Sequence, residues 1–69
     1  MTPADFRAIR HRLGLSQAQL ARALRVQSDR TIRKWEQGER DIPGPAQVLM
    51  ALLVEVPAAR KWLERESGV

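Results

Sequence analysis

Two helix signals crowd into the stretch from Ser16 to Gly38, with almost no chain between them. Ser16-Gln17-Ala18-Gln19 is a capping signal: a serine hydroxyl accepts from the backbone N–H three residues on, and a glutamine at that position reaches back. Leu20, Ala21 and Leu24 then recur at helical spacing, with Gln17, Arg22 and Arg25 off that stripe. Ser28 offers a second cap, Ile32 and Trp35 a second apolar stripe, and Gly38 a stop. Arg30, Arg33, Lys34 and Gln37 share the side opposite that stripe. Only Val26 and Gln27 separate the end of one helix from the cap of the next. Helices this short are not stable alone, so the pair must be buried against whatever else the chain supplies.

The rest of the chain supplies three more helices. Thr2-Pro3-Ala4-Asp5 combines a threonine cap, a proline in the first turn and an acid three residues after the cap, and Phe6, Ile9 and Leu13 follow on one face up to Gly14. After the charged loop from Glu39 to Gly44, Gly44 is expected to cap a fourth helix with Pro45 in its first turn, running to about Glu55. Val48, Leu49, Met50, Leu52, Leu53 and Val56 leave it little polar surface, which predicts burial on more than one side. Pro57 opens a fifth helix carrying Trp62 and Leu63. The expected fold is all-α, a five-helix bundle with residues 1–66 as one domain and 67–69 as a frayed tail.

Composition narrows the chemistry. With no cysteine and one histidine, His11, in 69 residues, the chain has neither disulfide staples nor a multi-histidine metal site of its own, and no metal or other cofactor is expected. His11 is expected to face solvent. A polar constellation and a phosphate-cradling glycine loop are both missing, so the expectation is that the protein is not an enzyme and takes no small-molecule ligand. The net charge of +4 suits an anionic partner. No apolar run approaches the roughly 18 residues of a membrane span, and Met1 to Leu15 does not read as a leader. A cytoplasmic chain with no membrane partner is expected.

Leu13-Gly14-Leu15-Ser16-Gln17-Ala18-Gln19-Leu20-Ala21, followed by Thr31-Ile32-Arg33-Lys34-Trp35-Glu36-Gln37-Gly38, resembles the lambda-repressor-like, Cro/Xre type of helix-turn-helix regulator, from about Phe6 to Val56. The resemblance implies double-stranded DNA as partner, with the helix from Ser28 to Gln37 entering the major groove, N-terminal residues leading. Arg30 and Lys34, one turn apart, are then the leading base readers, with Asp29 and Arg33 behind them. Gln17 is implied as a phosphate contact, and Ser28, Gln37, Arg40 and the backbone N–H of Gly44 are further candidates. The family's matching positions also imply an ion pair between Arg10 and Glu36 that orients the first helix against the third. Trp35 could stack on a base, but its place in the stripe with Ile32 puts it in the core.

Two departures from the family pattern stand out. Arg25 occupies the place of the usual turn glycine, and the stretch from Val26 to Thr31 is one residue longer than usual. The extra residue can absorb the turn without a left-handed glycine, and it shifts the start of the groove helix by up to one position. The apolar excess on the last two helices either completes a monomer core or forms a two-fold interface; the resemblance favours a homodimer through Leu52, Val56, Trp62 and Leu63, bound to a palindromic operator. The implied function is a small transcriptional autorepressor, of the kind carried by phages and other mobile elements, including those beside anti-CRISPR genes. The competing reading is an antitoxin or protein-interaction module of the same fold that binds a toxin or polymerase.

Overall fold

In the computed structural model, which describes residues 1–68, the chain forms α1 (Pro3–Arg12), α2 (Gln17–Leu24), α3 (Asp29–Gln37), α4 (Gly44–Glu55) and α5 (Pro57–Ser67), with no strand among the described residues. The two capping signals fold as written. Thr2 Oγ1 accepts from the Asp5 N–H at 3.0 Å and Asp5 returns the bond to the Thr2 N–H. The Thr2 backbone N–H, and after it the Thr2 hydroxyl, hold the Asp5 carboxyl below the usual carboxylate range. Ser16 and Gln19 repeat the exchange at the start of α2, at 3.0 and 2.9 Å.

The core gathers one face from each helix. Phe6 and Leu13 come from the α1 segment, Leu20, Ala21 and Ala23 from α2, Ile32 and Trp35 from α3, Met50 and Leu53 from α4, and Leu63 from α5. Phe6 meets Trp35 edge to face, ring centroids 5.7 Å apart and 81° between planes, an arrangement that places a ring edge on a π face. Burying an aromatic or branched aliphatic side chain contributes roughly 1.5–3 kcal/mol.

Several elements differ from the sequence reading. α4 begins one residue early: Pro43 is the cap residue, Gly44 the first helical residue and Pro45 the second. Only one side of α4 is buried, and Val48 is 70% exposed. The charged loop before it is anchored by Ile42, buried beneath it, whose carbonyl accepts from Gln47 Nε2 at 2.9 Å. Pro57 forces the residue before it out of helical geometry, so Val56 (φ −119°, ψ 101°) is both the end of α4 and the cap of α5. That elbow folds α5 back until Leu63 is buried. Leu63 therefore belongs to the monomer's own core and not to a dimer surface. α5 runs through Ser67, the first residue of the expected tail, and closes on a left-handed Gly68, and Val69 lies outside the described residues.

Candidate nucleic-acid interface

A three-residue polar network fixes α3 to the first two helices. Arg10 is buried, and its guanidinium grips Glu36 in a two-pronged contact, Nε to Oε2 at 2.6 Å and Nη2 to Oε1 at 3.1 Å. The side chains of this pair are 9% and 4% exposed. Arg10 Nη1 also donates to the Leu15 carbonyl at 3.0 Å, tying down the connection into α2. Gln17 Nε2 donates to Glu36 Oε1 at 3.1 Å. Glu36 therefore accepts from α1 and α2 at once. A planar fork is the donor geometry that matches a carboxylate, so the orientation of α3 is set by directional bonds as well as packing.

With Ile32 and Trp35 turned inward, α3 presents Asp29, Arg30, Arg33 and Gln37 to solvent. At about 100° per residue, Arg33 and Gln37 stand at the middle of that exposed face, with Asp29 and Arg30 at its edges. Lys34 is half-buried on the flank. Of the expected cationic base readers, Arg30 and Arg33 are the more exposed and Lys34 the less. Trp35, 5% exposed, packs on Phe6 and is not free to stack on a base.

The surroundings of α3 hold the other candidates. Ser28 sits at the cap position, but its hydroxyl makes no cap bond; its carbonyl accepts from the Thr31 N–H at 3.1 Å. Gln17 is half-buried because of its bond to Glu36, which leaves its second amide hydrogen unused. Arg40 is exposed in the loop after α3. Gly44 is exposed at the start of α4, and since Pro45 has no N–H, Gly44 and Ala46 carry the open donors of that first turn. In the turn before α3, which has no glycine, Arg25 itself takes the left-handed conformation, φ 60° and ψ 33°.

A family model described as a helix-turn-helix domain matches residues 4–60. The chain belongs to the helix-turn-helix domain family. That architecture points to DNA as the partner. A search of curated proteins gave no match. Within the helix-turn-helix frame, α2 and α3 are the two motif helices, and α1, α4 and α5 are the support that fixes them. Arg60, which sequence reasoning did not single out, is part of that support. Its Nη2 donates to the Leu13 carbonyl at 2.7 Å and its Nε to Glu64 at 3.1 Å, so α5 satisfies a free carbonyl at the end of α1. An arginine four residues before a glutamate on a surface helix gives no hint in the sequence of so distant a carbonyl.

The helix-turn-helix domain leaves apolar surface uncovered. Val48, Leu52, Val56 and Trp62 are 70, 45, 41 and 55% exposed. Val48, Leu52 and Val56 follow at intervals of four, one side of α4 and its end. No helix is long and apolar enough to cross a membrane among the described residues.

Proposed function

We propose that this helix-turn-helix protein is a sequence-specific DNA-binding regulator of the lambda-repressor-like, Cro/Xre type, acting as a small autorepressor on an inverted-repeat operator as a homodimer. The observation that carries the reading is the pairing of an exposed, cationic α3 face with a buried Arg10–Glu36–Gln17 network that holds the helix at one angle. An unspecific cationic surface needs no such fixation; base reading does, since each side chain must meet a particular groove edge. α3 enters the major groove with Asp29 and Arg30 leading. Arg30 and Arg33 read guanine edges, Lys34 reaches round from the flank, and Asp29 orients Arg30 or accepts from a cytosine amine. Gln17, Ser28, Gln37, Arg40 and the Gly44 N–H hold phosphates on either side and set the register.

The homodimer uses Val48, Leu52, Val56 and Trp62, the large apolar side chains that α4, its end and α5 leave in solvent. A two-fold pair on a palindrome places the two α3 helices about one DNA turn apart. The antitoxin reading draws no support from α5, which is spent on the core through Leu63 and on α1 through Arg60. The test is substitution with affinity measured across an operator and its single-base variants. Arg30→Ala and Arg33→Ala are expected to relax preference at defined base pairs, at about 1–3 kcal/mol each, while Arg40→Ala, at an exposed phosphate candidate outside the network that holds α3, weakens all duplexes alike. Uniform weakening by all three would remove base reading from α3.

A further inference from the structure

Among the described residues, three helices close with the same hydrogen-bond pattern, and one of them has the wrong residue for it. After α1, the Leu15 N–H bonds the Arg10 carbonyl at 3.3 Å with Gly14 left-handed (φ 72°). After α3, the Glu39 N–H bonds the Lys34 carbonyl at 2.9 Å with Gly38 left-handed (φ 77°). After α2, the Val26 N–H bonds the Ala21 carbonyl at 3.0 Å, and the left-handed residue is Arg25. Arg25 is the one non-glycine residue of positive φ among those described. Glycine adopts this conformation freely, whereas a residue with a Cβ is strained there.

The bonds that close α2 hold this backbone in place, but the Arg25 side chain makes no use of the position. Leu24 and Val26 on either side turn toward the core, so Arg25 points outward and is exposed. Among the described residues its guanidinium has neither a hydrogen bond nor an ion pair. It stands at the start of the connection into α3, with exposed Arg22 one turn before it and exposed Arg30 in the first turn of α3, against Asp29 as the nearest acid in the sequence. A residue that is strained in the fold and idle within it is a candidate for work outside it.

We infer that Arg25 is a phosphate-binding residue that clamps the DNA strand bordering the N-terminal end of α3. The inference rests on the DNA reading above. An arginine in the turn that leads α3 into the groove is placed beside the groove wall, and its contact is with backbone phosphate, because the bases are met by α3 itself. It adds one counterion-releasing contact that is indifferent to sequence.

The experiment compares Arg25→Gly, Arg25→Ala and Arg25→Lys with wild type for thermal unfolding and for binding to duplex DNA across a salt series. Arg25→Gly is expected to raise Tm, on the order of 3–6 °C for a domain of this size, and to weaken binding several-fold to every duplex, with the salt slope shallower by about 0.9. Arg25→Ala loses the same binding without the gain in Tm; Arg25→Lys keeps the slope. If Arg25→Gly binds with unchanged affinity and slope, or its Tm does not rise, the inference is overturned while the DNA reading stands. If wild type binds no duplex, the DNA reading fails and the inference with it.

Discussion

Arg10→Ala tests what fixes α3. The substitution removes all three bonds of the guanidinium, two to Glu36 and one to the Leu15 carbonyl. It leaves the Glu36 side chain, 4% exposed in the intact pair, with the Gln17 amide as its remaining hydrogen-bond donor. Breaking one side of a buried pair costs about 3–5 kcal/mol, because the other charge remains desolvated. At roughly 0.05–0.15 kcal/mol per residue, a chain of 69 residues has a total stability of about 3–10 kcal/mol, so the substitution removes a large share of it and the variant unfolds at a much lower urea concentration. Replacing both partners, Arg10→Met with Glu36→Leu, removes the charge along with its partner and should return most of the loss, to within about 1–2 kcal/mol of wild type. Urea unfolding followed by far-ultraviolet circular dichroism measures all three proteins. If Arg10→Ala lost less than about 1 kcal/mol, or the double variant were as unstable as the single one, the pair would not be the buried strut described here.

Other consequences can be measured separately. Gly38→Ala should cost roughly 1–2 kcal/mol, through backbone strain alone, since the added Cβ lies in ordinary contact distance of Pro3 Cγ at 3.8 Å; a fall in Tm checks this. Asp5 has its folded pKa depressed, so its contribution is present above the unfolded pKa and lost as pH falls through the folded value. Asp5→Asn should therefore reduce stability at neutral pH and flatten the stability curve below about pH 4, a difference that acid titrations of both proteins would reveal. Leu52→Asp should convert the proposed dimer to monomer without loss of helix, as read by sedimentation and circular dichroism together; a dimer that survives it lies on another surface.

The sequence made the five helices legible because each carries its own punctuation. Thr2 and Ser16 with their partners, Pro57, Gly14 and Gly38 are local signals, and local geometry obeys them. The burial of Trp35 followed from its helical spacing with Ile32. The Arg10–Glu36 pair was reachable only through family resemblance, since nothing local links positions 26 apart. What escaped depends on tertiary placement. The depth of Leu63 is decided by the angle at Val56, the exposure of Val48 by which side of an almost wholly apolar helix meets the core, and the reach of Arg60 to Leu13 by the return of α5 onto α4 and α2. Ile42 was hidden in a charged loop because one apolar residue has no period. The left-handed backbone at Arg25 was not legible, because a residue other than glycine gives no local signal of positive φ; the hydrogen bonds that close α2 impose it.

The central claim is that the exposed face of α3 reads DNA sequence, and selection of bound duplexes from a random library, followed by affinity measurement across a salt series, tests it most directly. The account predicts enrichment of an inverted repeat with half-sites about one helical turn apart and a steep salt slope on top of a preserved preference for that site. Weak binding without enrichment, vanishing as salt rises, would show that charge alone holds the DNA and would contradict the claim.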